Sequence, residues 1–176
     1  MPKRSQKPKT LTYERAREVF NYDPNTGKLS WKVATSFRVR VGDVIDSQWK
    51  PILYYVVMID GAQYLVHRVI RLWMTGKWPV RFLDHANGVK TDNRWCNLRE
   101  ASTVENQHNK PVSKRNKCGY KGVYFSKDMK KWTAEIMSHR VHMHLGFFDT
   151  AKEAAHAYNE AALKHHKKFA NLNVIN

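Results

Sequence analysis

An α+β fold follows from three features of the sequence. Two short stretches pair apolar, β-prone residues with a helix-start signal, Ser102-x-x-Glu105 and Thr150-x-x-Glu153, in which a hydroxyl and a carboxylate cap the first turn reciprocally. Residues 52–59 and 64–66 are β-prone and flank Asp60-Gly61, the dipeptide of a tight hairpin. Between Gly119 and Phe148 three alternating runs precede an alanine-rich helix, which makes a small sheet with one helix.

The chain has 176 residues, enough for one or two small domains, a formal charge of +16 and a pI near 10.0. Residues 1–109 hold 18 cations against 10 anions, and residues 110–176 hold 13 against 5. Basicity spread over both halves favours a polyanion that touches much of the protein, and nucleic acid fits this best. No long basic amphipathic helix supports a membrane surface instead. Two cysteines, Cys96 and Cys118, are too few and too far apart for a disulfide framework or a zinc knuckle. No secretory apolar segment and no 18-residue apolar run occurs, so the sequence predicts a cytoplasmic protein with reduced thiols.

In chain order, residues 1–10 are basic and proline-containing. They read either as a disordered arm along phosphates or as a solvated terminus. A domain over 11–109 follows. Leu11 to Phe20 is a short helix, Asp23 to Gly27 a turn, Lys28 to Val33 a half-buried strand and Val41 to Ile45 another. After the hairpin, Val69, Ile70, Leu72 and Trp73 mark a helix that ends at Gly76 and Pro79. This region supplies the apolar platform that a smaller motif lacks.

Val80 to Leu83 enters Asp84-His85 as a strand, an Asn-Gly turn and a polar loop follow, and Asn97-Leu98-Arg99 precedes the first capping box. Asp84 and Asn106 are hard oxygen donors; two protein oxygens leave room for waters and phosphate, the habit of Mg²⁺. His85 faces away from Asp84 on a strand and can act on water at working pH. His67 opens the preceding helix and reads as capping or bridging elements.

The stretch DHANGVKTDNRWCNLREASTVENQHN resembles the ββα-metal (HNH) nuclease motif in its H-N-N form. The resemblance implies His85 as general base, Asn97 as buttress of the loop and the base, and Asp84 and Asn106 as ligands of one divalent ion. That ion is Mg²⁺ or Mn²⁺, without structural zinc. Lys90, Arg94 and Arg99 are then candidates for gripping flanking phosphates, or else plain surface charges, and the resemblance sets His67 near the active site or a phosphate.

Residues 110–118 read as a cationic linker and 119–176 as a second domain. The latter resembles the plant Apetala/ethylene-response-factor (ERF) DNA-binding domain in YKGV at 120–123, KWTAEI at 131–136, HLGFFDTAKEAAHAYNEAA at 144–162 and FANLN at 169–173. That resemblance implies a three-stranded sheet entering the major groove, with contacts from Lys121, Tyr124, Ser126, Trp132, Glu135, Met137 and His142. Trp132 reads equally as sheet core. The family has arginines at positions 124, 126, 137 and 142, and arginine on guanine is the commonest specific base contact. The implied target is therefore different from the plant one or looser.

Together the two units resemble phage HNH homing endonucleases with an ERF-like C-terminal domain. This implies a phage-encoded enzyme acting on double-stranded DNA inside a host cell, and the residues themselves favour a monomer. No heptads and no spare apolar helix face suggest a dimer. A non-catalytic DNA-binding regulator, and a nuclease for branched DNA or RNA, are the alternatives.

Overall fold

The computed structural model describes residues 10–50, 52–113, 115–138 and 141–175. The expected N-terminal arm falls outside them except for Thr10. The fold mixes helices with several small antiparallel sheets, as the sequence predicts. It divides into two compact units at Glu100/Ala101.

In the first unit, α1 (Tyr13–Val19) starts where the Thr12 hydroxyl accepts from the Arg15 amide and buries Ala16 and Val19. β1 (Phe20–Tyr22) pairs with β2 (Leu29–Trp31) around the Asp23 turn, whose carboxylate accepts from the Asn25 amide and the Thr26 hydroxyl. β1 is absent from the sequence reading because it runs straight out of α1 with no breaker between. The strand expected over 41–45 is one bridge, Ser30 to Val44; Gly42 and Asp43 serve the loop closure instead of a ladder.

β3 (Gln48–Trp49), β4 (Tyr54–Ile59) and β5 (Ala62–Leu65) form a sheet. Asp60 and Gly61 carry φ of 49° and 78°, the left-handed pair that a two-residue hairpin turn requires. α2 (Val66–Thr75) buries Val66, His67, Val69, Ile70 and Leu72 and stops at Gly76. β6 (Phe82–His85) and β7 (Leu98–Ala101) form a two-stranded sheet, with a short 3₁₀ turn at Trp95–Asn97 before β7. One core joins these elements, with Phe20, Leu29, Val57, Ile70, Leu83 and Leu98 among its members.

The second unit holds β8 (Val123–Ser126), β9 (Lys131–Ser138) and β10 (Val141–Phe148) in the order β10-β9-β8. α4 (Ala151–His166) covers one face with Ala154, Ala155, Tyr158 and Ala162. Alanines bring helix and sheet close together, as their spacing predicts. Helix α3 (Thr103–His108) belongs to this unit, although the sequence groups it with the preceding domain. Its carboxyl end is held there. Lys121 Nζ donates to the carbonyls of His108 and Lys110 at 2.6 and 2.7 Å, and Asn171 Nδ2 donates to the Asn109 carbonyl at 3.0 Å. The His108 and His166 rings stack 3.6 Å apart. The expected linker is tied in as well, since Asn116 Nδ2 donates to the Tyr120 carbonyl at 2.7 Å.

Candidate active site

β6 ends on Asp84 and His85, and the loop after it is organised by amide side chains. Asn97 Oδ1 accepts from the Asn87 amide at 3.0 Å, and Asn97 Nδ2 donates to Asn87 Oδ1 at 3.0 Å and to the Asp92 carbonyl at 2.7 Å. The Ala86 amide donates to the Asn97 carbonyl at 2.9 Å, which fixes the exit from His85. Asn97, only 6% exposed, is therefore the keystone of the loop.

His85 is buried, and its Nε2 lies 2.9 Å from Asn93 Oδ1. Its ring sits 5.7 Å from that of Tyr54 and edge-on, 5.2 Å, to that of His67. Burial pushes the His85 pKa below its ordinary value, while the Asn93 contact, Asp84 and Asp92 pull it up. His67 is also buried, and desolvation, with the His85 and Arg68 charges adding to it, lowers it to about 3. His67 lies beside His85, with its ring against those of Tyr54 and His85, and α2 has no side-chain cap at its start. Burial, helped by the Asp84 carboxylate, raises the Tyr54 hydroxyl.

The platform builds this pocket from behind. The Tyr22 hydroxyl donates to the Asn93 carbonyl at 2.8 Å, and the Trp95 amide donates to the Pro24 carbonyl at 3.1 Å. Gly27 has φ 74°, and a side-chain carbon there would collide with the Asn93–Arg94 backbone. The β1–β2 turn and the Asn93 segment can approach each other only with glycine at that position.

Asp84 is 8% exposed, and Arg99 donates to its Oδ2 from Nε at 3.0 Å and from the guanidinium terminus at 2.9 Å. Arg99 is thus turned onto the carboxylate. The other two expected phosphate-grippers are also engaged. Lys90 Nζ donates to the Ile52 carbonyl at 3.1 Å and lies 5.0 Å from the Tyr54 ring centre. Arg94 is paired with Asp92 at 2.6 Å, and this bond holds the Asp92 carboxyl down at about 2. Asn106 lies on α3, half-buried, one turn after Ser102, which forms a capping box with Glu105. Among the described residues no group of three or more His, Cys, Asp or Glu side chains is placed to hold a metal. A hard oxygen donor such as Asp84 suits an ion that keeps most of its ligands as water and phosphate oxygen.

In the second unit, register places Tyr124, Ser126, Glu135, Met137 and His142 on the sheet face away from α4, together with Lys131, His144, Phe147 and the buried Thr133. The Tyr124 hydroxyl donates to Glu135 Oε1 at 2.7 Å. Trp132 points the other way and packs with Val123, Ala134 and Ala155, so it takes the core alternative. Lys121 is half-buried against the end of α3, and burial pushes its amine down to about 8. Both cysteines are free.

Asn93 and Tyr54 are the pocket residues that sequence reasoning misses. Asn93 sits in a Thr-Asp-Asn-Arg run that reads as a turn, and Tyr54 sits in a hairpin strand; only the fold brings them to His85.

Residues 64–108 match a family model described as HNH endonuclease. The match runs from β5 through His85 to the end of α3. In a comparison with curated proteins, 65 residues, 36% of the chain, are 45% identical to ethylene-responsive transcription factor RAP2-11 of Arabidopsis thaliana. They cover 25% of that protein, so the chain spans about a quarter of the length of this relative. No solved structure matches the chain. No helix among the described residues is long and apolar enough to cross a membrane.

Proposed function

We propose that the protein is a metal-dependent endonuclease for double-stranded DNA that works as a monomer. The observation that carries this reading is the contact between buried His85 and Asn93 at 2.9 Å, next to Asp84, inside the segment that matches the HNH endonuclease model. A proton on Nε2 satisfies Asn93 Oδ1 and leaves the basic lone pair on Nδ1. His85 is then held as a neutral imidazole that takes a proton from the attacking water. Burial lowers its pKa and so favours the unprotonated form at neutral pH.

Asn97 keeps the loop, and with it the exit of the His85 backbone, in one conformation. Asp84 and Asn106 would hold one divalent ion, Mg²⁺ or Mn²⁺, which supplies stabilisation of the negative charge that develops at phosphorus and on the departing 3′ oxygen. Arg99 holds Asp84 in place and offsets its charge. The products are a 5′-phosphate and a 3′-hydroxyl, and the first product from one chain is a nick. The excess of positive charge and the likeness to an ethylene-responsive transcription factor support DNA as the partner. Tyr124, Ser126, Glu135, Met137 and His142, which share one sheet face, then contact the duplex. A phage-encoded homing role inside a host cell is part of the same proposal, resting on the resemblance of the two units taken together.

The likeness to a transcription factor also favours a second reading, a DNA-binding regulator that does not cut. Incubation of the protein with a randomised duplex library and Mg²⁺, with the ends sequenced, separates the two. Metal-dependent ends clustered at a preferred sequence support the nuclease; retention of selected sequences without new ends supports the regulator.

A further inference from the structure

We infer that the loop between β2 and the Val44 bridge is a second DNA-binding element, which drives Phe37 as a wedge into a base step of the duplex from the minor groove. The inference rests on the reading of duplex DNA as the partner.

The loop is anchored at both ends. Across its base the Trp31 amide donates to the Asp43 carbonyl at 3.0 Å, the Gly42 amide donates to the Trp31 carbonyl at 2.8 Å, and Ser30 bridges Val44. Above this, the Asp43 carboxylate accepts from the Arg40 amide at 3.0 Å. The tip is a hydrogen-bonded turn in which the Val39 amide donates to the Ser36 carbonyl at 3.1 Å, with Phe37 and Arg38 at its two central positions. Val39 packs against the core and pins one side of the turn.

This arrangement holds Phe37 outward. It is 91% exposed, more than any other aromatic side chain among the described residues. A single exposed apolar residue is ordinary on a protein surface. What sets this one apart is its setting: an ordered turn whose anchoring residue is apolar and packed on the core, with a full aromatic ring at the crest. The Arg38 guanidinium lies 5.1 Å from the Phe37 ring centre, and Arg40 and Lys32 are exposed on the same loop. Asp43 is the one carboxylate between Lys32 and Val44, and it is committed to the Arg40 amide.

An apolar ring flanked by arginines is complementary to a groove of phosphates with a stack of bases at its floor. Minor-groove proteins use this combination: an apolar side chain separates two bases and kinks the duplex, and arginines settle in the groove and on the phosphates. A kink opened next to a scissile phosphate would also lower the cost of bending the backbone into a small active site. The charge of the loop argues against an uncharged protein partner, and the lack of a long basic amphipathic helix in the sequence argues against a lipid surface.

The test uses the full chain, a long plasmid-derived duplex stretched as a single molecule in EDTA, and the Phe37→Ser and Arg38→Gln/Arg40→Gln variants. Binding by the wild type tests the reading of DNA as partner by itself. The inference expects bound wild type to soften the duplex through kinks of about 20–90°. Phe37→Ser should still bind but should leave the duplex at its normal stiffness. The arginine variant should bind less tightly, with a salt dependence of log K shallower by about 0.9 for each phosphate that is no longer neutralised. Wild type that binds without softening the duplex, or Phe37→Ser that softens it equally, overturns the inference. So does a Phe37→Ser variant with unchanged effects on DNA that loses binding to anionic vesicles or loses self-association in sedimentation.

Discussion

His85 Nε2 and Asn93 Oδ1 lie 2.9 Å apart, and Asn93 is itself held through its carbonyl by the Tyr22 hydroxyl at 2.8 Å. The N-terminal platform is therefore more than a hydrophobic support. Through Tyr22 and the Gly27 turn it fixes the residue that fixes the histidine.

Asn93→Leu removes the acceptor and keeps the volume. We expect cleavage to fall by roughly 10–100-fold, by analogy with the loss when the hydrogen-bond partner of a metal-bound histidine is removed. Asn93→Asp keeps an acceptor and should retain more of the rate. Nitrogen-resolved NMR of the His85 ring checks the cause: wild type should carry its proton on Nε2 and Asn93→Leu should show a mixture. A single unchanged tautomer in both would remove Asn93 from the mechanism.

His85→Ala should lose roughly 10²–10⁴-fold in cleavage rate, the usual contribution of a general base. DNA affinity should stay nearly constant, because the buried ring is not exposed for phosphate contact. Parallel single-turnover and filter-binding measurements give both numbers; equal losses in rate and affinity would assign His85 to binding.

Asp84→Ala and Asn106→Ala should each weaken the response to Mg²⁺ and the rate together, since both are proposed as oxygen donors to one ion. Calorimetric titration of Mg²⁺ into the full-length variants in the presence of uncleavable duplex checks this. Metal affinity unchanged in both would take them out of the metal site.

His67 is buried with its pKa lowered to about 3, so below its unfolded value of about 6.5 the unfolded chain binds a proton that the folded chain does not. Stability is therefore full above about pH 6.5 and falls as pH drops toward 3. The faces around His67 are the rings of Tyr54 and His85 and the Arg68 charge, none of which offers an anion to the imidazolium. At pH 5 the loss is about 2 kcal/mol. Thermal melts from pH 7.5 to 4.5 should show it, and His67→Phe should flatten the slope. A wild-type Tm that is level over that range contradicts this role.

Much of the fold is legible in local pattern. The Asp60-Gly61 hairpin, both capping boxes and the three alternating strands each carry their signal within a few residues, and they form where the sequence puts them. Asp84, His85 and Asn97 likewise fall in one short run. The illegible part is long-range. Nothing in the spacing says that Tyr54 and Asn93 reach His85, or that Arg99 folds back on Asp84. The assignment of α3 is the clearest case. A six-residue helix has little stability of its own, and the groups that hold its end, Lys121, His166 and Asn171, come from much later in the chain.

Lys121→Met should accordingly loosen α3. Losing two donations from an ammonium group costs about 1–3 kcal/mol, and amide hydrogen exchange over residues 103–109 should speed up relative to the α4 core. If Asn106 is the metal donor proposed above, cleavage should fall with it, because that residue lies on α3. Exchange unchanged in α3 would show that the lysine is not what holds it.

The central claim is tested most directly on a supercoiled plasmid that carries one site recovered from the library, followed over time on a gel. Wild type with Mg²⁺ should convert it to open circle before any linear form, EDTA should stop the reaction, and His85→Ala should leave the plasmid supercoiled over the same period. Cutting that persists in EDTA, or at the wild-type rate in His85→Ala, would contradict the account.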